Sequence, residues 1–327
     1  MARIGVLGAG AWGTALALVA ARAGEEVTLW SRSAAWAARL HGARENARDL
    51  PGVALPPTIA VTADPEALRG TDLILAVVPA QALRDTLTTL DAAIRPGTPV
   101  VVCAKGLERG SGASMAEVVR ACCPGRPPAA LSGPSFAADV GAGLPTAVTL
   151  AADSLAVAAT IARRLATPSF RVYHTDDLAG VEIGGAAKNV LAIACGIAAG
   201  RALGASAQAA LMARAFAELS RFGQASGARP ETLMGLSGLG DLVLTCGSAQ
   251  SRNFAFGLAL GQDATPEAAA GGRLVEGAAT APALRAAAGR LGVAMPIVER
   301  VAAVLAGESS VDDAIEALLA RPPRAEH

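Results

Sequence analysis

Apolar residues in the first half of the chain fall in short blocks set off by glycine, proline and helical stretches. The blocks Ile4–Leu7, Val27–Trp30, Ile59–Thr62, Leu73–Val78, Val100–Ala104, Ala129–Ser132, Thr146–Ala151 and Phe170–His174 read as buried strands. Between them, helical patterning opens at Thr14 and covers Ala34–Leu40, the short Pro65–Arg69, the amphipathic Gln81–Ile94 and Ser154–Leu165. Asn46–Pro57 reads as a Pro/Gly-punctuated loop and Cys122–Pro128 as a surface turn. From about Gly180 strand signals stop. Alanine-rich helical patterning then runs nearly to Ala320, broken at Gly235–Asp241, Gln250–Asn253 and Gly271-Gly272.

The turn after the first block carries Gly8, Gly10 and Gly13 in G-x-G-x-x-G spacing. A strand before it and a helix after it make this a dinucleotide site. The first glycine permits a tight turn, the second lets the backbone approach a pyrophosphate, and the third lets helix and strand pack closely. Free N–H groups and the positive end of the helix dipole then face the phosphates. The fold class is therefore α/β: a Rossmann-type dinucleotide-binding domain over residues 1–180, followed by an all-α substrate domain over 181–327.

The length of 327 residues supports two domains. Charge is balanced at 28 basic and 28 acidic side chains, so no basic field attracts nucleic acid or anionic lipid. No apolar run reaches the roughly 20 residues that span a bilayer, and the N-terminus enters a strand without a signal peptide, so the expectation is a cytoplasmic, soluble protein. The five cysteines (Cys103, Cys122, Cys123, Cys195, Cys246) and three histidines (His41, His174, His327) lack metal-ligand spacing, and no metal centre is implied.

About 20 residues past the glycines, where an NAD site usually places an acid for the ribose hydroxyls, stands Arg32. It can meet a 2′-phosphate, making NADP acceptable beside NAD, or be a solvated residue after a strand. Lys105 follows the fifth strand at the edge where ligands of parallel sheets bind, with ordinary solvation as the alternative. Lys188 lies among Ala, Ile, Leu and Val in IGGAAKNVLAIACGIAAG, where desolvation would lower its pKa; the alternative is a snorkelling lysine at a helix end. Other polar residues stand out against the apolar second half: Asn189, Asp241, Ser251-Arg252-Asn253 and Glu276. Reduction of a carbonyl leaves an alkoxide that needs a proton or a cation, and a lysine supplies either. The surplus of positive groups fits a small phosphorylated substrate.

Ten ordered blocks carry a resemblance along the whole chain: GAGAWGTALA (Gly8–Ala17), LPGVALP (Leu50–Pro56), VPAQALR (Val78–Arg84), AKGLE (Ala104–Glu108), LSGPSFAADV (Leu131–Val140), GLPTAV (Gly143–Val148), GGAAKNVLAIACG (Gly184–Gly196), GLGDLVLTC (Gly238–Cys246), SRN (Ser251–Asn253) and VEG (Val275–Gly277). The sequence resembles the bacterial NAD(P)-dependent glycerol-3-phosphate dehydrogenases. The resemblance implies reduction of dihydroxyacetone phosphate to sn-glycerol 3-phosphate, the phospholipid backbone precursor. It further implies Lys188 as proton donor and acceptor, Lys105 between nicotinamide and substrate, and Gly133, Ser135, Asp241, Ser251, Arg252 and Asn253 around the substrate. Arg252 and Asn253 would take the phosphate. Ala11, Trp12, Arg32, Ala137, Leu274 and Glu276 would touch the cofactor, with Arg252 reaching both ligands.

Four positions depart from the usual pattern. Ala11 replaces a common serine, Asp49 an aromatic residue before LPG, Ala187 a leucine before Lys188, and Gly247 a hydroxyl residue after LTC. None removes a proposed catalytic group. Rival readings are a related two-domain dehydrogenase acting on a β-hydroxyacid or ketopantoate-like substrate, and a non-catalytic nucleotide sensor. Small-residue faces in the helical domain could support a homodimer.

Overall fold

The computed structural model describes residues 3–322, so His327 lies outside the described residues. The chain forms β1 (Arg3–Leu7), α1 (Ala11–Arg22), β2 (Glu26–Trp30), α2 (Ala34–Ala43), β3 (Glu45–Asn46), β4 (Leu50–Ala54), β5 (Ile59–Thr62), β6 (Leu73–Ala76), α3 (Leu83–Leu90), β7 (Val100–Val102), α4 (Met115–Cys122), β8 (Pro128–Ser132), α5 (Ala137–Ala142), β9 (Thr146–Ala152), α6 (Leu155–Leu165) and β10 (Phe170–Thr175). Helices follow: α7 (Leu178–Gly200), α8 (Ala205–Ala225), α9 (Pro230–Met234), α10 (Asp241–Cys246), α11 (Arg252–Gly261), α12 (Pro266–Ala270), α13 (Glu276–Arg290), α14 (Pro296–Leu305) and α15 (Val311–Leu319).

The main sheet runs β10-β9-β8-β7-β6-β1-β2-β5, and all neighbours are parallel except β8 with β9. Its central strands are buried on both faces, which is why they read as unbroken apolar blocks rather than alternating ones. β1 pairs with β2 on one side and β6 on the other. The chain winds outward from β1 to β2 and β5, then crosses back to β6. The crevice at the carboxyl ends of β1 and β6 is therefore the topological switch point where open α/β sheets bind ligands.

Local structure departs from the sequence reading in several places. α1 opens at Ala11 rather than Thr14, with Gly10 as its N-cap. Gly13 thus lies inside the first turn, where a Cβ would sit 1.8 Å from the Gly8 carbonyl oxygen. The segment expected as a loop over Asn46–Pro57 contains the antiparallel pair β3–β4; Pro51 and Gly52 are tolerated because both are exposed. Cys122 ends α4, a helix started by a capping box of Ser114 and Glu117, and is not part of a turn. Finally, α7 is 23 residues long with a mean hydropathy of 1.4, long and apolar enough to cross a membrane, contrary to the expectation that no run qualifies. Of that stretch 83% is buried inside the fold, so its apolarity is that of a core helix.

α7 is the axis of the helical half. It packs against α11 with so little space that a Cβ on Gly196 would meet the Phe254 carbonyl oxygen at 2.1 Å, and one on Gly257 the Ile193 oxygen at 2.1 Å. This close approach sets the N-terminus of α11 beside the middle of α7. The other end of α7 reaches the helices of the first half: Glu182 accepts a hydrogen bond from the Ala116 N–H at the start of α4 (2.7 Å). Burial pushes the Glu182 carboxyl up to about 7.

Candidate functional site

Two backbone devices bring three charged side chains together. β7 ends at the sheet edge, and the chain leaves it so that Lys105 leans toward α7; a Cβ on Gly185 would lie 3.3 Å from its Cγ. The segment expected as a break at Gly235–Asp241 is instead a π-helical turn, Leu236–Gly240, running directly into α10. Glycine makes the turn possible. A Cβ on Gly238 would be 1.9 Å from the Leu233 oxygen, and one on Gly184 of α7 would be 2.5 Å from the Ser237 oxygen. Asp241 is thereby pressed against α7 opposite Lys188.

The Asp241 carboxylate, 1% exposed, is shared. Its Oδ1 accepts from Lys188 Nζ at 2.5 Å and its Oδ2 from Lys105 Nζ at 2.6 Å. Lys188 Nζ also donates to Thr245 Oγ1 (2.8 Å), and Lys105 Nζ to the Gly133 carbonyl (3.3 Å). Burial lowers the Lys188 ammonium to about 8, with Asp241 opposing the shift and Lys105 adding to it. For Asp241, burial favours the neutral acid, but the two ammonium groups outweigh it and hold the carboxyl below its usual range. With Asp241 and both lysines ionised, the cluster carries a net positive charge in a buried place.

A chain of amides ties this cluster to the rest of the site. The Gly277 N–H donates to Asn253 Oδ1 (2.9 Å), Asn253 Nδ2 to Asn189 Oδ1 (2.9 Å), and Asn189 Nδ2 to the Lys105 carbonyl (3.1 Å). Asn253 is therefore engaged at both ends of its amide. Ser251 serves as the N-cap of α11, its Oγ accepting from the Phe254 N–H (3.2 Å). Arg252, the first residue of α11, is exposed. Ser135 Oγ donates to the Gly133 carbonyl (3.0 Å).

The residues singled out for a cofactor lie at the glycine turn, beyond β2, at the start of α5 and around the start of α13. Gly8 has φ +110°, and Gly10 has no atom within 4 Å of where a Cβ would stand, so open space lies over the turn at the N-terminus of α1. Ala11 and Trp12 are half-buried there, and the buried Trp12 Nε1 has no acceptor. This cradle fits a dinucleotide's pyrophosphate. Arg32 is exposed beyond β2, Ala137 begins α5, and Leu274 is 41% exposed. Glu276 opens α13 with Oε2 unpartnered; burial raises its carboxyl against the Ala80 N–H, Arg252 and Arg109. Among the described residues no side-chain hydrogen bond joins Arg32 or Arg252 to the Asp241 cluster.

Thr245 belongs to this arrangement but was not singled out in the sequence, and Asn189, which stood out there as polar, was given no role. Thr245 lies four residues after Asp241, the spacing that puts two side chains on one helix face, so that signal was present. Asn189 follows Lys188 directly and faces a different neighbour; its place in the site comes from its contacts with Asn253 and the Lys105 carbonyl.

Comparison with known proteins gives a consistent result over the whole chain. Residues 3–158 match the family described as NAD-dependent glycerol-3-phosphate dehydrogenase N-terminus, and residues 177–316 match its C-terminus. The chain is 61% identical over 324 residues to a glycerol-3-phosphate dehydrogenase (NAD(P)+) of Azorhizobium caulinodans, covering 99% of this chain and 98% of that one. The corresponding protein of Methylobacterium radiotolerans is 60% identical over the same span, with the same coverage. A crystal structure of glycerol-3-phosphate dehydrogenase from Coxiella burnetii superposes with a TM-score of 0.93 at 41% identity, covering 98% of this chain and 99% of that one.

Removing the shared carboxylate leaves the buried Lys188 ammonium facing the partly buried Lys105 ammonium. Asp241→Asn is expected to destabilise the fold by about 3 kcal/mol, the usual scale for breaking a buried ion pair from one side. Denaturant unfolding of the variant beside the parent chain checks this, and equal midpoints would contradict it.

Proposed function

The chain belongs to the NAD-dependent glycerol-3-phosphate dehydrogenase family and is an NAD(P)-dependent oxidoreductase of a CH–OH group, and from that premise we propose that it interconverts dihydroxyacetone phosphate and sn-glycerol 3-phosphate with Lys188 as proton donor and acceptor. The product supplies glycerophospholipid synthesis. The observation that carries the assignment of roles is the Asp241 carboxylate held between two ammonium groups. Family membership also displaces the β-hydroxyacid or ketopantoate-like reading.

When bound, a reduced nicotinamide supplies the two electrons and one hydrogen that the carbonyl carbon takes up. Lys188 supplies the remaining proton to the carbonyl oxygen. Its amine is aimed by Asp241 and Thr245, and its depressed pKa puts proton loss within reach of neutral conditions. Lys105, on the other carboxylate oxygen, stabilises the oxygen as negative charge develops. Gly133 and Ser135 border the same space. Because the Asn253 amide is already engaged by Gly277 and Asn189, Arg252 at the exposed N-terminus of α11 carries most of the work of holding the phosphate, with Asn253 fixing that end of the helix. Ser251 acts through its cap.

At the other end of the crevice, Gly8, Gly10, Ala11, Trp12 and Gly13 would hold the pyrophosphate, with Ala137, Leu274, Glu276 and Lys105 along the cofactor. Arg32 would meet a 2′-phosphate. We also read the protein as cytoplasmic and as a homodimer, the latter supported by exposed Leu203 and Leu319 beside an apolar groove of α8, α14 and α15.

Oxidation of NADH or NADPH on mixing with dihydroxyacetone phosphate, followed by absorbance, is the direct test. Lys188→Ala is expected to leave cofactor affinity within about twofold and to lower turnover by about 10²–10⁴-fold, the range for a lost general acid; unchanged turnover would remove Lys188 from the mechanism. Donation needs the protonated amine, so reduction should fall as pH rises through about 8, while oxidation of sn-glycerol 3-phosphate, which needs the free amine, should rise through the same region. Arg32→Ala should weaken NADPH by about tenfold and NADH little, since only NADPH offers the charged partner; equal losses would show that Arg32 does not read the 2′-phosphate. Light scattering should give twice the 32.5 kDa of one chain. A single-chain mass would end the dimer reading.

A further inference from the structure

The hairpin β3–β4 stands over the crevice beside the glycine turn, and none of the roles above uses its tip. It is fastened there by Asn46, whose Nδ2 donates to Thr14 Oγ1 (2.8 Å) and to the Ala9 carbonyl (3.3 Å), and whose Oδ1 accepts the Asp49 N–H (3.0 Å). Trp36, in the first turn of α2, is fastened to the same place: its Nε1 donates to the Ala9 carbonyl at 3.1 Å. Two separate elements therefore converge on one carbonyl of the glycine turn. Between them lies Arg48. Its guanidinium carbon is 3.8 Å from the centroid of the Trp36 ring, the distance of face-on stacking, and Asp49 grips its Nε and Nη2 in a two-point ion pair (3.1 and 2.7 Å).

Stacking and fork together fix both the plane and the rotation of the guanidinium. An exposed arginine normally pays substantial rotamer entropy to bind an anion. Here that ordering is already done in the free protein. The side chain is 61% exposed nonetheless, and among the described residues its Nη1 has no protein acceptor. A cation of fixed orientation with a free pair of donors, one indole away from Ala9 and on the α2 side that also carries Arg32, is placed to receive a phosphate.

We infer that Arg48 is an anion-binding residue of the cofactor crevice, taking a phosphate of the adenosine half of the dinucleotide, and that Trp36 and Asp49 are its positioning residues. This deepens the cofactor reading of the glycine turn and rests on it. It also gives Asp49 a use: at a position where the related enzymes usually carry an aromatic residue, this chain has the acid that locks Arg48 onto Trp36.

Two adenosine fragments separate the phosphates. 5′-ADP carries only the 5′ phosphates; adenosine 2′,5′-bisphosphate carries a phosphate at the 2′ position as well. Calorimetric titration of the full chain and of Arg48→Ala with each fragment and with NADH is expected to show a loss of about tenfold for the variant on at least one fragment, the scale of one charge-assisted hydrogen bond to an exposed anion. Arg48→Lys keeps the charge without the flat stack and should recover only part of the loss. A loss on both fragments and NADH assigns the 5′ phosphates; a loss confined to the bisphosphate assigns the 2′-phosphate. Unchanged affinity of Arg48→Ala for both fragments, in a variant that melts with the parent chain, overturns the inference. Failure of the parent chain itself to bind either fragment or NADH would instead overturn the cofactor reading of the glycine turn.

Discussion

One carboxylate holds the site together. Asp241 is almost without solvent, and its charge is stable there only because two ammonium groups meet its two oxygens. Each of the three groups comes from a different part of the fold: Lys105 from the loop after β7, Lys188 from the middle of α7, Asp241 from the start of α10. Satisfying them simultaneously fixes the sheet edge, the axial helix and the π-helical turn relative to one another. The surplus positive charge left over is the other half of the constraint. A buried cluster with more cations than anions is poised for an incoming anion or a developing alkoxide, so the same arrangement that orders the fold also prepares the chemistry.

The two ends of the crevice use positive charge differently. Around Asp241 the cations, Lys188 buried and Lys105 partly so, are held by fixed partners, which suits groups that must exchange a proton or meet charge only as it forms. At the rim, Arg32 and Arg252 are exposed, which suits binding of permanent phosphate anions. The amide relay Gly277–Asn253–Asn189–Lys105 runs between these regimes. It connects the start of α13, where Glu276 lies, to the backbone that presents Lys105.

Much of this was legible in the sequence because the signals were local. The glycine spacing, the unbroken apolar strands, the lysine just past a strand end and the switch to alanine-rich periodicity each depend on neighbours within a few residues. What escaped depended on tertiary contact. α1 begins three residues early because Gly10 can cap it in extended conformation and Gly13 can pass under the Gly8 carbonyl. The β3–β4 hairpin forms in a stretch that reads as loop because Asn46 anchors it to Thr14, far away in sequence. GLSGLGD reads as a break, and glycine ordinarily is one; here its lack of side chains lets a π-helical turn nest against α7. The helical patterning read from Gly180 onward also does not separate α7, which ends at Gly200, from α8, which begins at Ala205.

The pairing of Lys105 with Asp241 spans 136 positions of the chain. During synthesis, which proceeds from the N-terminus and lets domains fold as units, β1, the glycine turn and the sheet around them emerge long before Asp241 does. The glycine turn and the Asp241 cluster are therefore completed at different moments. A nascent chain can present its glycine turn while Lys105 still lacks the carboxylate that will orient it, and the cluster is complete only when α10 has closed against α7.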